Sequence, residues 1–302
     1  MIAIIGPTAT GKTSLATHFA ARHKGEIISA DSRQVYRGMD IGTGKDLSEY
    51  SVAGQHIPYH LIDIADPGEE YNVYRYQQDF LNSYKSIISK GKTPVLCGGT
   101  GMYIEAVLKG YRLFHVPENQ ELRTALKHKS VDELRLLLKQ YKTPHNTTDT
   151  IDRGRLMRAI EIQDYYSKHA NKAKDFPNIT TLIFGISFDR AVIRERITTR
   201  LRERLDNGMI EEVEALLNRG VSPESLKFYG LEYRYLTQYI RHEISYQQMF
   251  SGLNTAIHQF AKRQTTWFRK MEKQGFNIHW IDGQLPIESK INEIEKIAEN
   301  PL

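Results

Sequence analysis

Short apolar runs that end in glycine or in polar residues recur along the chain and predict buried strands. They are MIAIIG at 1–6, EIISAD at 26–31, HLIDIAD at 60–66, TPVLCGGTG at 93–101, TTLIFGISFD at 180–189 and NIHWIDG at 277–283. Short continuous apolar runs are typical of strands that are covered on both faces. We therefore expect a parallel sheet at the centre of the protein.

Segments in which apolar residues have helical spacing separate these runs. KTSLATHFAARH at 12–23 places Leu15, Phe19 and Ala20 on one face, and NVYRYQQDFLNSYKSIISKG at 72–91 is amphipathic and ends in glycine. Strands that alternate with helices predict an α/β fold in which helices wrap a parallel sheet.

Two segments interrupt this alternation and predict additional helical parts. Residues 111–177 are polar and mainly helical, and residues from about 206 to 250 form a second, lid-like helical segment. A long basic helix follows at 244–275, with a break expected near Gly252. We therefore divide the chain into a first part of the core at 1–110, an inserted helical subdomain at 111–177 and the completion of the core at 178–302.

The composition adds a basic balance that is unevenly distributed. The 302 residues carry a formal net charge of +5, and residues 190–270 contain 14 Lys/Arg against nine Asp/Glu. A solvated helical face and a surface for an anionic partner would both produce this imbalance. Charge alone therefore leaves the partner open.

The single cysteine, Cys97, excludes a disulfide framework and a cysteine-rich zinc site. No apolar run approaches the ~20 residues of a membrane span, and the N-terminus lacks the features of a signal peptide. We therefore expect a cytoplasmic protein without membrane contact. Because no heptad seam is visible, we expect a monomer without an obligate protein partner.

Residues 6–13 read GPTATGKT and fit the phosphate-loop pattern G-x-x-x-x-G-K-[ST] between a predicted strand and a predicted helix. Backbone N–H groups and the helix dipole of such a loop converge on anionic oxygens. Lys12 would contact phosphate oxygens, and Thr13 would hold Mg²⁺, which favours oxygen ligands. The predicted polyphosphate-binding residues are Gly6, Pro7, Thr8, Ala9, Thr10, Gly11, Lys12 and Thr13. The pattern leaves the identity of the polyphosphate open.

Polar residues follow the second predicted strand. In open parallel sheets, ligands bind beyond the carboxyl ends of the strands, so Asp31 is expected near the phosphate loop. Its carboxylate could hold Mg²⁺ through water or accept a proton from a nucleophile, although a turn or helix N-cap would also account for it. Ser32, Arg33 and Gln34 extend polar atoms from the same place and could read the edge of a base.

Five stretches stand out in combination. They are GPTATGKT at 6–13, ISADSRQVYRGMDIGTGK at 28–45, CGGTGMYIEAVLKG at 97–110, RLMRAIEI at 155–162 and AKRQTTWFRK at 261–270. In this order and at these distances, they resemble the tRNA dimethylallyltransferase family over nearly the whole chain. The second stretch is far more specific than the phosphate loop. The resemblance implies a fold like that of P-loop nucleotide kinases, with an added helical region.

The resemblance implies transfer of a dimethylallyl group from dimethylallyl diphosphate to N6 of the adenosine beside the anticodon, at position 37 of tRNA. The phosphate loop, with Mg²⁺ on Thr13, would then bind the diphosphate of the donor and stabilise it as it leaves. The exocyclic amine is a poor nucleophile because its lone pair is conjugated with the ring. By resemblance, Asp31 orients N6 and accepts its proton.

The resemblance implies three catalytic residues, Asp31, Thr100 and Arg200. Thr100 resembles the family's contact to the acceptor, although it could also cap the following helix. Arg200 aligns with an arginine that faces the diphosphate. Arg196, Arg200 and Arg204 recur every four residues, which a solvated charged stripe would also produce.

An enzyme that acts on a base in an anticodon loop must splay that base out, and it needs cationic and aromatic contacts. The tRNA contacts implied for the anticodon stem-loop are Asp31, Ser32, Arg33, Gln34, Thr100, Arg123, Gly154, Arg155, Leu156, Met157, Arg158, Lys262 and Arg263. A solvated helix charge is the alternative for Arg123. We expect Trp267 and Phe268 to pack in the core while the neighbouring basic residues line a channel.

One stretch departs from the family pattern. Gly-Tyr-Arg-Gln often stands where this chain has Gly230-Leu231-Glu232-Tyr233, so no role is carried over to these positions.

Three other functions compete with this interpretation. An ATP-dependent small-molecule kinase would leave residues 31–45 and the basic C-terminal helix unexplained. An isopentenyltransferase for free AMP or ADP would share the donor chemistry but could omit the tRNA-binding parts. A nucleotide-dependent RNA-binding switch would not need the intact set of Lys12, Thr13 and Asp31.

Overall fold

The computed structural model describes residues 1–141, 152–169 and 176–299. The chain divides into a first unit, Met1–Lys109 with Asn178–Leu302, and a second unit, Gly110–Pro177. Residues 142–151 and 170–175 of the predicted helical subdomain lie outside the described residues. Within the described ranges, every helix is too short or too polar to cross a membrane.

Six strands of the first unit form one parallel sheet in the order β5-β2-β6-β1-β7-β8, and β3 and β4 form a separate antiparallel hairpin. The strands are β1 (Ile2–Ile5), β2 (Gly25–Ala30), β3 (Ser51–Val52), β4 (Gln55–His56), β5 (Tyr59–His60), β6 (Thr93–Gly98), β7 (Leu182–Ser187) and β8 (Ile278–Asp282). The predicted α/β fold with a helix-wrapped parallel sheet is confirmed.

Helices follow most of these strands and cover the sheet. In the first unit they are α1 (Lys12–Arg22), α2 (Val73–Ser89), α3 (Gly101–Leu108), α7 (Arg190–Asp206), α8 (Met209–Asn218), α9 (Pro223–Leu226), α10 (Leu231–Ile240), α11 (Tyr246–Lys273) and α12 (Ile287–Glu299). In the second unit they are α4 (Gln120–Leu126), α5 (Val131–Tyr141) and α6 (Arg153–His169). A 3-10 turn at Leu47–Tyr50 precedes β3.

The central strands are buried because their apolar side chains pack under helices on both faces. The main core includes one fully buried residue from each of five strands, namely Ile4, Ile27, Val95, Phe184 and Ile281. The predicted helical face of Leu15, Phe19 and Ala20 packs into the first unit's core. Cys97 is buried in the same core, as expected for a small apolar side chain.

Two predictions about elements were wrong. HLIDIAD was expected to be a strand, but β5 ends at His60, and the chain turns through the left-handed conformation at Leu61 (φ 64°) and Asp63 (φ 56°). The backbone N–H of Asp63 then donates to the carbonyl of Gln34 at 3.1 Å, so the segment pairs with a loop instead.

The expected helix break at Gly252 is also absent, since α11 is continuous there. A Cβ at this position would lie 2.6 Å from the ring of Tyr235. The glycine therefore permits close packing of α10 on α11 rather than a bend.

The second unit has its own small core. Its apolar residues come from all three of its helices and are Leu126, Leu134, Leu138, Leu156 and Ile160.

Candidate active site

The phosphate loop connects the carboxyl end of β1 to the N-terminus of α1. Gly11, at the N-cap of α1, adopts φ +75°, a left-handed conformation that glycine reaches without strain. It has no side chain to cap the helix, so first-turn N–H groups remain available to an anion. The hydroxyl of Thr10 donates to the carbonyl of Pro7 at 2.9 Å and holds the curl of the loop.

Lys12 lies where charges of both signs meet. Burial lowers its pKa, while the nearby carboxylates of Asp31 and Glu49 act in the opposite direction and Arg200 adds to the lowering. The charges of Asp31 and Arg200, both predicted from the sequence, are therefore close enough to Lys12 to act on its pKa. An anionic ligand placed here would stabilise the charged form of Lys12.

Asp31 and Thr100 are brought together by the adjacent strands β2 and β6. The backbone N–H of Thr100 donates to the carbonyl of Ala30 at 3.0 Å, and the Thr100 hydroxyl oxygen accepts from the N–H of Ser32 at 3.0 Å. Asp31 Oδ1 accepts from the N–H of Arg33 at 2.9 Å. Its Oδ2 has no hydrogen-bond partner among the described residues, which leaves one carboxylate oxygen for a ligand.

The arginines of α7 form a second wall of this site. Arg196 donates from Nε to the carbonyl of Ala9 in the phosphate loop at 2.8 Å, and Arg200 pairs with Asp46. Arg204 lies one turn further along, with only 14 % of its side chain exposed. The solvated-stripe alternative is therefore wrong for Arg204, and this helical face turns towards the phosphate loop.

Gly44 explains how these arginines come so close to the loop that follows β2. Gly44 has φ +64°, and a Cβ there would lie 1.6 Å from Nη2 of Arg204 and 3.0 Å from Nη2 of Arg200. Burial lowers the pKa of Arg204, and the neighbouring charge of Arg200 adds to this effect. The two guanidinium groups thus form a dense positive region.

Lys45, the last residue of the most specific stretch, is a structural residue. Its side chain is fully buried, and Nζ donates to the carbonyl of Tyr36 at 2.7 Å, to Asp40 at 2.5 Å and to Asp63. It therefore fixes the loop between β2 and the 3-10 turn, which carries Asp46 towards Arg200. The sequence pattern identified Lys45 but not this role.

Glu212 on α8 anchors the same loop from the other side. Its carboxylate accepts from the backbone N–H groups of Asp40, Ile41 and Gly42 at 2.8, 2.7 and 3.0 Å, and from the hydroxyl of Tyr233 at 2.7 Å. Sequence reasoning missed this residue, because its three backbone partners lie about 170 positions away along the chain. The sequence predicted only a helix of the lid-like segment at this place.

Glu232 is a second residue that sequence reasoning did not place in the site. Burial raises the pKa of its carboxyl, and the charge of Arg204 opposes that rise. The carboxyl is also within electrostatic range of Asp31 and Arg200. The only signal for it was that an acidic residue stands where the family often has a basic one.

The predicted tRNA-binding residues next to Asp31 differ in exposure. Arg33 is exposed, whereas Gln34 is buried, accepts from the Ser29 hydroxyl at 3.0 Å and donates to the carbonyl of Gly44 at 3.1 Å. The amide of Gln34 therefore serves the loop and is not presented to a base in this structure.

On α11, Lys262 and Arg263 are exposed. Phe268 is fully buried, and Trp267 packs against Gly101, where a Cβ would lie 2.4 Å from the indole ring. The expectation that Phe268 packs in the core while the neighbouring basic residues stay outside it is confirmed.

The other predicted tRNA residues lie in the second unit, where two of them pair with the buried carboxylate of Glu161. Arg123 donates to it from Nε and Nη2 at 3.1 Å each, and Arg158 also pairs with it. Arg155 and Gly154 are exposed at the start of α6. The Leu156 side chain is fully buried in the core of this unit, and Met157 packs against that core.

The residues present fit a magnesium ion that is bound mainly through a ligand's phosphates. Among the described residues, no three His, Cys, Asp or Glu side chains cluster as a metal site. Thr13 offers a hydroxyl at the start of α1, and Asp31 offers a free carboxylate oxygen. Mg²⁺ commonly keeps several waters and takes one or two protein oxygens together with substrate phosphates.

Comparison with known families covers almost the whole chain. The profile of the IPP transferase family matches residues 34–271, and a profile described as isopentenyl transferase matches residues 1–55.

Individual relatives match over nearly their full length. The chain is 59 % identical over 296 residues to tRNA dimethylallyltransferase 2 of Bacteroides fragilis, covering 98 % of this chain and 97 % of that protein. It is 56 % identical over 302 residues to tRNA dimethylallyltransferase 1 of Parabacteroides distasonis, covering 100 % and 98 %. Among solved structures, the full-length tRNA isopentenylpyrophosphate transferase of Bacillus halodurans matches with a TM-score of 0.70 and 30 % identity, covering 99 % of this chain and 95 % of that one.

Proposed function

The chain belongs to the IPP transferase family, and from this premise we propose that it transfers a dimethylallyl group from dimethylallyl diphosphate to tRNA. The acceptor is N6 of the adenosine beside the anticodon, at position 37, and diphosphate is released. The observation that carries this proposal is that the strand ends bearing Asp31 and Thr100 lie together beside the phosphate loop, which α7 contacts through Arg196.

The donor's diphosphate lies in the phosphate loop. Amide N–H groups of residues 9–13 and the ammonium of Lys12 bind its oxygens, and Arg200 faces it from α7. Bound Mg²⁺, held by Thr13, would supply a further positive charge to the leaving oxygens. Together these groups stabilise the negative charge that develops as the allylic C1–O bond breaks.

The acceptor lies on the side of Asp31 and Thr100. N6 of the adenine attacks C1, the electron pair of the C1–O bond leaves with diphosphate, and the N6 proton moves to the free Oδ2 of Asp31. Thr100, tied to Ser32 through its hydroxyl oxygen, holds the acceptor against this carboxylate.

Residues of the lid-like segment at 206–250 hold in place the loop beside the donor's diphosphate. Glu212 and Tyr233 fix the loop that carries Asp46, and Arg200 leaves Asp46 for the diphosphate when the donor binds. The exchange replaces a partly exposed ion pair by a contact to a more highly charged anion.

Exposed basic residues of the protein bind the anticodon stem-loop of tRNA. In the first unit these are Arg33, Lys262 and Arg263, and in the second unit Arg155 is exposed. Cations that neutralise phosphates release counterions, so tRNA affinity falls as salt rises. Because its substrate is tRNA, we place the enzyme in the cytoplasm, where it acts as a monomer.

A transfer assay with three acceptor arms tests the proposal. The protein is incubated with Mg²⁺ and labelled dimethylallyl diphosphate, and with unmodified tRNA, with AMP, or with ATP and small-molecule kinase acceptors. Label in tRNA supports the proposal. Label only in AMP indicates a free-nucleotide isopentenyltransferase, and ATP turnover without label transfer indicates a kinase.

A further inference from the structure

The buried side chain of Gln264 connects helix α11 to the candidate active site. The residue is 7 % exposed, and both ends of its amide are used. Nε2 donates to the carbonyl of Gly99 at 2.9 Å, and Oε1 accepts from the backbone N–H of Thr8 at 2.8 Å. A single amide therefore bridges the phosphate loop and the turn that leads to Thr100.

The backbone around this amide leaves little room for rearrangement. A Cβ at Gly99 would lie 2.4 Å from Nε2 of Gln264 and 3.0 Å from the carbonyl oxygen of Gly6. Trp267, three residues further along the same helical face, packs equally closely on Gly101. The glycines on either side of Thr100 thus admit α11 to the edge of the site.

We propose that Gln264 is a positioning residue that fixes the separation between the phosphate loop and Thr100. The inference rests on the proposed function, in which the loop holds the donor and Thr100 holds the acceptor. Transfer requires N6 and C1 to meet at a short distance, and small displacements of the two halves slow such a step strongly. Neighbouring Lys262 and Arg263 are exposed on the same helix, so Gln264 also ties this separation to the predicted tRNA surface.

The variant Gln264→Glu separates positioning from general structural support. A protonated glutamic acid accepts from Thr8 N–H and donates to the Gly99 carbonyl, as glutamine does. An ionised carboxylate only accepts, so the carbonyl of Gly99 loses its donor and faces a negative charge. Burial disfavours that ionised form and raises the pKa of the carboxyl, which brings the change of state into a measurable pH range.

We expect kcat of Gln264→Glu at pH 8 to fall by about tenfold or more relative to wild type, because both reacting partners shift. The KM values for tRNA and for the donor should stay within about threefold, since neither substrate touches the amide. The ratio of variant kcat to wild-type kcat should rise as the pH is lowered from 8 to 6. Gln264→Ala should lose kcat to a similar extent without recovery at low pH.

Dividing the variant kcat by the wild-type kcat at each pH cancels the effect of titratable groups that both proteins share. The charged residues nearest Gln264 along the segments that meet it are Lys12 of α1, Glu105 of α3, and Lys262, Arg263, Arg269 and Lys270 of α11, and Asp31 follows the neighbouring strand β2. Gln247→Glu, exposed in the first turn of α11, is the matched control and should follow wild type at every pH.

Three results would overturn the inference. They are an unchanged kcat for Gln264→Glu, a kcat ratio that does not vary with pH, and a loss confined to the KM for tRNA. If Gln264→Ala does not fold, Gln264→Glu alone decides, because its ratio compares one variant at two pH values. A wild-type protein that modifies no tRNA contradicts the proposed function and this inference with it, whereas an active wild type with an indifferent Gln264→Glu contradicts this inference alone.

Discussion

The ion pair between Arg200 and Asp46 provides a quantitative test of the donor site. If Arg200 must leave Asp46 to bind diphosphate, then Asp46→Asn should strengthen diphosphate binding. The substitution removes the competing charge and keeps the backbone unstrained, because Asp46 has φ +44° and asparagine tolerates this left-handed conformation.

The expected gain follows from the exposure of the pair. The side chains of Arg200 and Asp46 are 30 % and 36 % exposed, so solvent screens their attraction. Such partly exposed pairs contribute about 0.2–1 kcal/mol. Removing the competitor should therefore tighten diphosphate binding by roughly 1.4- to fivefold, and relief of repulsion between Asp46 and the anion acts in the same direction.

Isothermal titration calorimetry with Mg²⁺ and inorganic diphosphate measures this change. Asp66→Asn is the matched control, because Asp66 forms an exposed ion pair with Arg37 at 2.8 Å outside the site, and its affinity should equal that of wild type. In an Arg200→Ala background the gain from Asp46→Asn should shrink. Equal or weaker binding by Asp46→Asn would refute the exchange of partners.

Three further predictions concern the base, the loop anchor and the phosphate-loop lysine. Asp31→Asn should lower kcat by about 10²-fold or more with little change in tRNA affinity, as expected when a general base is removed. Single-turnover transfer measures the rate, and filter binding measures the tRNA affinity. Full activity of the variant would exclude Asp31 as the base. Lys45→Met should reduce the free energy of unfolding by about 3 kcal/mol, because it removes one partner of a buried charge cluster whose acceptors are partly exposed. Urea unfolding measures this loss, with the exposed Lys92→Met as the control. A loss of stability equal to that of the control would contradict the prediction. Because burial lowers the pKa of Lys12, its charge is lost at a lower pH than that of a free lysine. Diphosphate affinity should therefore weaken as the pH rises through the alkaline range, and calorimetry should show a flatter pH dependence for Lys12→Arg. Identical pH profiles of affinity for Lys12→Arg and wild type would contradict the assignment.

The parallel sheet could be predicted from the sequence because each central strand is a short apolar run with turn residues after it. Adjacent strands then place Asp31 and Thr100 side by side, which is why the strand-end residues were found. The same pattern failed at residues 60–66. There the apolar residues Leu61 and Ile62 are buried by a loop that turns at positive φ, and a hydrophobic run does not report that conformation.

Long-range polar contacts could not be predicted from one sequence. Glu212, Gln264 and Lys45 look like ordinary helix or loop residues until the fold gives them partners. Gln264 lies 256 positions from Thr8, and nothing local to either residue indicates the bond. The resemblance to a family supplied the chemistry, but the residues that hold that chemistry in place required the structure.

Nucleoside analysis of the tRNA product tests the central claim most directly. Unmodified tRNA with adenosine at position 37 is incubated with the enzyme, Mg²⁺ and dimethylallyl diphosphate, then digested and analysed by mass spectrometry, beside the same tRNA with guanosine at that position. We predict N6-dimethylallyladenosine from the first tRNA only, with one diphosphate released for each modified residue. Modification of the guanosine-substituted tRNA, or release of diphosphate without modified adenosine, would contradict the account.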